Sequence, residues 1–226
     1  TGVHLEQAVS NGGVVFCGAI LNNAHLACVA LTGCDLTMAA LRGARLAGVD
    51  LRAARLGGAS LAQADLTGAK LQKADLSWAT LTDARLGGAH MDRANLSCAD
   101  LRGAAAAGAG FSSAAMSGAN LGRLAAEGAV WDGADLSNCD FTASTLTKGS
   151  FKKSKLQGAT LAGAKMHEVD MTGADLSSTS GKSADFTGAC LEGVALDSAN
   201  LPSAVILRTT LKGATGRGAA FDGAKL

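Results

Sequence analysis

The sequence predicts an all-β solenoid, a β-helix built from stacked coils. Three observations carry this expectation: a beat of five residues, a small residue two places before each beat, and a charge pattern that repeats at twenty. From Phe16 to Leu226 every fifth residue, 43 positions in all, is Leu, Phe, Met, Ile or Trp except at Ala106, Ala126, Gly181 and Gly216. Two residues before each stands a small one, Ala at 30 of the 43, as in ADLTGAKLQKADLSWATLTDARL (residues 64–86).

A step of five fits no amphipathic helix, because five residues advance the side-chain direction by about 140° net and scatter the Leu around the axis. In extended chain, residues two apart share a face, so each Ala and Leu point inward together. The next Ala lies three residues on, so the chain must turn a corner within every pentapeptide. Gly is frequent two residues after the large position, where it can adopt the positive φ of a tight turn. Asp, Asn, Ser and Thr nearby can bond local backbone.

The coil length follows from charge. At a spacing of twenty, charged residues meet opposite charges twelve times and like charge once, at Lys73 and Arg93. Ladders such as Asp35, Arg55, Asp75 and Asp135, Lys155, Asp175 recur, whereas a spacing of fifteen shows no preference. Met91, Phe111, Trp131, Phe151 and Met171 form a series at the same spacing. Four pentapeptides per coil is the simplest arrangement. About ten coils stacked at about 4.8 Å give a rod of about 50 Å. Residues 14–226 are expected to form this single domain, with residues 1–13 as a short N-terminal cap, helical over VHLEQAV.

Each small exception is followed five residues later by an aromatic: Ala106 by Phe111, Ala126 by Trp131, Gly181 by Phe186, Gly216 by Phe221. Neighbouring faces of one coil share interior space, so Trp131 is expected to be interior filler rather than a binding residue.

The motifs ADLTG, ADLSW, ANLSC, ADLRG, ANLGR, ADLSN and ADFTG resemble the A(D/N)LXX pattern of the pentapeptide-repeat family. The resemblance covers residues 14–226 and implies a right-handed quadrilateral β-helix with three outward positions per repeat. Members serve differing roles, mostly as interaction modules, so it implies little about activity.

Composition excludes several function classes. A formal charge of +1 argues against a nucleic-acid binder or a charged membrane anchor, and no apolar run is long enough to span a bilayer. His4, His25, His90 and His167 are dispersed, and the six Cys contain no CxxC, so neither a metal site, a catalytic His nor a disulfide framework is expected. No phosphate-loop or nucleophile-elbow motif occurs, and no cofactor is implied. Arg42, Arg45, Arg52 and Arg55 divide between opposite faces. Lys152, Lys153 and Lys155 lie along one side, but Asp132, Asp135 and Asp175 stack on two of them and Glu168 on Lys148, a solvated and partly neutralised face rather than a phosphate site.

Outward apolar residues carry the remaining signal. Met38, Trp78 and Cys98 share one edge at multiples of twenty, interrupted by Gly58, with Ile20 and Ala40 beside them. At the far end Phe221 and Leu226 continue the beat to the last residue, with outward Val205 and Leu207 one coil below. The expected function is a non-catalytic rigid scaffold or accessory subunit that binds a protein partner, or itself, through the C-terminal end or the Met38/Trp78/Cys98 edge. The alternative drawn from the resemblance is a topoisomerase-binding mimic of DNA that confers gyrase-inhibitor resistance. Such a mimic needs an acidic rod, whereas acids here alternate with bases. A cytoplasmic location is favoured; the resemblance also allows a chloroplast or thylakoid assembly.

Overall fold

The computed structural model describes residues 15–27 and 29–226, so the expected N-terminal cap lies outside the described residues. Parallel bridges join each outward residue before a large position to its counterpart twenty residues on, from Val15 with Asp35 to Val205 with Lys225. The chain thus climbs one layer every four pentapeptides, without an insertion.

One repeat, ADLTG at residues 64–68, shows why the motif specifies this backbone. The Asp65 N–H donates to the Ala44 carbonyl one coil below at 2.9 Å. The Leu66 and Gly68 N–H groups donate to the Arg85 and Gly87 carbonyls one coil above, at 2.8 and 2.9 Å. The Ala64 N–H closes the preceding turn on the Leu61 carbonyl at 3.0 Å. One donor remains, the Thr67 N–H, and the Asp65 side chain takes it at 3.1 Å. Every N–H of the pentapeptide is therefore satisfied, which a packed backbone requires. Asp50, Asn95 and Asp140 bond the N–H two residues on in the same way. In three repeats where that position is not acidic or amidic, the carboxylate or amide arrives from the coil below: Asn22 takes the Arg42 N–H, Asp132 that of Lys152, and Asp197 that of Arg217.

The single Pro fits the same scheme. Pro202 occupies the position whose N–H no backbone carbonyl accepts, so the ladder loses nothing, and its fixed φ suits the first inner residue of a turn.

The corner residue, two after each large position, has positive φ throughout the described chain, as a type II turn demands at its third residue. Roughly as many of these corners are not Gly as are, among them Ala143 at φ 57°, Met38 at 57° and Trp78 at 59°. The five-residue geometry therefore imposes the left-handed conformation even on residues that resist it, at about 1–2 kcal/mol each.

The core is a column of Leu with Ala beside it, buried from Leu21 to Ile206. Hydroxyls at the small position stay satisfied within their own turn: Ser144 and Ser154 donate to the Phe141 and Phe151 carbonyls, and Thr179 to that of Leu176. Trp131 is fully buried. Its ring stacks on Phe111 with centroids 4.0 Å apart and on Phe151 at 5.7 Å, and it meets Phe141 edge-on at 6.0 Å. A further compensation lies in Leu124, a buried large residue at a small position of the same repeat as Ala126. Within GRLAA the usual small-then-large order is inverted, so Ala126 yields space to Leu124 as well as to its neighbour across the corner.

Candidate protein-binding surface

The outer surface is made of the three remaining positions of each repeat, and its charges pair more variably than a strict ladder. Three pairs span one coil as the spacing predicts, Arg55 to Asp35 at 3.2 Å, Arg85 to Asp65 at 3.5 Å and Lys212 to Glu192 at 3.8 Å. Others close within a repeat: Arg52 grips Asp50 at 2.6 Å and Arg102 grips Asp100 at 2.7 Å. The Arg52 guanidinium holds the Asp50 carboxyl down to about 2. Diagonal contacts take the rest. Lys152 reaches Asp170 at 3.2 Å, and Lys148 lies 4.0 Å from Glu127 rather than beside Glu168. Lys155 forms no ion pair with Asp135 or Asp175; the Asp175 carboxylate accepts instead from the Gln157 amide at 2.6 Å. Side-chain reach along the diagonal, not coil spacing alone, selects partners.

No group of His, Cys, Asp and Glu among the described residues is arranged to hold a metal ion. The Cys139 thiol donates to the Met116 carbonyl at 3.0 Å, and burial pushes it up to about 12, which makes it inert as a nucleophile. His167 is half-buried and lies against Asp185 at 2.8 Å.

The structure brings Met38, Trp78 and Cys98 onto one corner column, all exposed, Trp78 at 71% and Met38 at 66%. Gly58 does not interrupt this ridge. The Met38 Sδ lies 2.5 Å from where a Gly58 Cβ would stand, so the thioether folds over the glycine toward Trp78. Cys98 leans likewise over Gly118, its Sγ 3.5 Å from that glycine's Cβ position. The four other expected contact residues belong to the far half of the rod. Val205 and Phe221 are half-buried, Leu207 is exposed, and Leu226 is 83% exposed. Leu196, Leu201, Ile206, Phe221 and Leu226 line an apolar hollow of about 190 Å3 there.

The sequence matches the pentapeptide-repeat description in eight copies between residues 12 and 215. The chain belongs to the pentapeptide-repeat family. Its backbone is accordingly a right-handed quadrilateral β-helix, the fold shared with QnrB1, a plasmid-mediated fluoroquinolone resistance protein. A trypsin-treated form of that protein is 17% identical over 98% of this chain and 92% of its own, with a TM-score of 0.58. HetL, a pentapeptide repeat protein involved in heterocyst differentiation regulation in the cyanobacterium Nostoc sp. strain PCC 7120, is 32% identical over 93% of this chain and 88% of its own, with a TM-score of 0.48. A pentapeptide repeat protein of the Arabidopsis thaliana thylakoid lumen is 28% identical over 46% of this chain and 75% of its own, at a TM-score of 0.35. Comparison with curated proteins gives no match. No helix of the described residues is long and apolar enough to cross a membrane.

One feature of this pentapeptide-repeat surface stands apart from the charge pairing. Lys73 and Arg93 occupy the same corner of successive coils, both exposed, and neither makes a side-chain hydrogen bond or ion pair among the described residues. The lone like-charge contact at spacing twenty was the signal for it in the sequence.

Proposed function

We propose that this pentapeptide-repeat protein is a non-catalytic scaffold of about ten coils that binds other proteins through its outer faces. The supporting observation is the unbroken register from Val15 to Lys225, in which the backbone is consumed by the ladder and no loop stands off the rod to wall a cleft. Flat, rigid faces suit protein contact because little ordering entropy is lost on binding. The alternation of acids with bases supports this function over mimicry of DNA, which needs a continuous acidic surface. The test is affinity capture on the folded rod followed by reconstitution of the recovered protein with purified chain. A partner that binds in a purified two-component assay, with gyrase supercoiling unaffected by the rod, supports the scaffold. A positive turnover screen with no reconstitutable partner would overturn it, as would inhibition or protection of gyrase.

A further inference from the structure

In the N-terminal half, exposed cations and an exposed apolar ridge border the two edges of one flat face. In the coil of residues 74–78, Asp75 and Ser77 point outward between a corner bearing Lys73 and a corner bearing Trp78. The coil above repeats the arrangement with Arg93, Asn95, Ser97 and Cys98. One edge is therefore cationic over two coils. The other is the ridge that Met38 extends by folding over Gly58. The floor between them is about 10 Å wide, the three extended steps between its four residues, and carries only short side chains at these coils.

Arg55 on the floor below is taken by Asp35 at 3.2 Å. Asp75 is engaged by the Ser77 N–H and by the Asn95 amide, both at 3.0 Å. Across the corner, Lys70 and His90 bridge one another on the adjoining face, exposed and without ion pairs among the described residues. Asp92 leans away, its Oδ1 3.3 Å from where a Gly110 Cβ would stand. The uncompensated charge at this edge is positive, and it stacks like on like, whereas the other charge pairs at a spacing of twenty are opposite. It also ends after two coils, at Ala53 below and Ser113 above, too short for the long basic stripe a nucleic-acid backbone requires.

We propose that this face binds a partner protein through a segment in which an acidic cluster lies about 10 Å from an apolar anchor. The carboxylates meet Lys73 and Arg93, and the anchor packs on Trp78 and Met38. This rests on the scaffold function and adds to it the place and the chemistry of the contact. Exposed Trp beside Met provides the large, desolvatable area that dominates protein contacts, while unpaired Lys and Arg provide steering and orientation.

The probe is a displayed random peptide library selected on the folded rod. Enriched peptides are expected to combine Asp or Glu with Trp, Phe or Leu. Binding of a synthetic representative should weaken about tenfold or more in Trp78→Ser and in the double variant Lys73→Glu with Arg93→Glu. The loss in the charge-reversed variant should shrink as salt rises. Lys182→Glu, on another face, should leave binding unchanged, and circular dichroism should show all variants folded. Peptides indifferent to both face variants would overturn this proposal and leave the scaffold standing. Single-stranded oligonucleotide bound through Lys73 and Arg93 but not Trp78 would overturn it in favour of a phosphate ligand. Failure to enrich any peptide, together with failure to reconstitute any partner, would end both.

Discussion

Replacing Trp131 tests whether the interior aromatics carry the middle of the rod. Trp131→Ala removes a fully buried ring held by three aromatic neighbours. Large-to-small changes of this kind cost about 3–5 kcal/mol, and each lost ring pair adds about 0.5–1.5 kcal/mol beyond area. One term acts in the opposite direction. The Trp131 Nε1 is buried without a hydrogen-bond partner, a group whose burial costs about 1–3 kcal/mol in the native protein and vanishes on substitution. The two effects combine to leave Trp131→Ala destabilised by about 3–5 kcal/mol. Trp131→Phe keeps a ring between Phe111 and Phe151 while removing the orphan donor, and should fall within about 1 kcal/mol of the parent. The assay is denaturant titration followed by circular dichroism, since fluorescence would keep only the exposed Trp78 as reporter. Equal loss in the Phe and Ala variants would refute the reasoning, because it would mean that the N–H is satisfied and the indole is specifically required.

Four further outcomes follow from the backbone. Gly149→Ala should destabilise by about 1–3 kcal/mol, since its Cβ would lie 2.9 Å from the Leu146 carbonyl and 3.1 Å from the Phe151 ring, whereas Gly87→Ala meets nothing closer than 3.9 Å and should be neutral by thermal melting. Ala143→Gly should stabilise by about 1 kcal/mol, and Gly128→Ala, with open space around it but φ +67°, should lose a similar amount; equal stabilities would deny the corner strain. Leu124→Ala should cost about 2–5 kcal/mol alone, and adding Ala126→Leu should recover part of it; a double-mutant cycle with no coupling would show that the two do not share volume. Asp50, Asp65, Asp100, Asp170 and Asp185 all have carboxyls held below the ordinary range, Asp50 chiefly by Arg52 and Asp100 by Arg102. A depressed native carboxyl stabilises above its unfolded value and loses that stability as protons bind, so stability should fall between about pH 4 and pH 2. A pH-independent melting temperature across that window would contradict it.

The beat of five, the inward pair and the spacing of twenty were legible because each is a one-dimensional periodicity that survives in sequence. The burial of Trp131 was legible too, since it follows from the volumes at beat positions. The role of Asp65 and its counterparts as acceptors for the one spare N–H was not. It depends on counting backbone donors in three dimensions, and only Pro202 marks the vacant position in the sequence. The inversion at Leu124 and Ala126 is hidden in the sequence, because the small and large positions appear there as separate columns whereas in the rod they are one face sharing a volume. Pairing of surface charges was legible only in part. Asp35 with Arg55 obeys the coil spacing, but Lys148 and Lys152 reach along diagonals because long side chains lean toward a neighbouring coil. The Met38/Trp78/Cys98 column was visible at spacing twenty, but not that Met38 bends over Gly58 to close its gap.

That bend bears on why bulky residues stand at these corners at all. A corner must adopt left-handed φ, which Gly meets without strain and Asn or Asp meet with little, whereas Met and Trp gain nothing from it. The fold offers no compensating burial, since Met38 and Trp78 keep most of their surface in solvent. Lys73 and Arg93 occupy equally strained corners with φ of 59° and 60°, and add mutual repulsion one coil apart. Four residues bounding one face thus oppose folding through backbone strain or charge, while Gly at the same corners would relieve the strain. The corner strain is shared with the other non-Gly corners; what sets this face apart is the like-charge stacking of Lys73 and Arg93 opposite an exposed Trp and Met. A ligand that neutralises the cations and covers the apolar ridge would remove the repulsion and the exposed apolar surface together, leaving only the corner strain, and it would do so only when bound to this face.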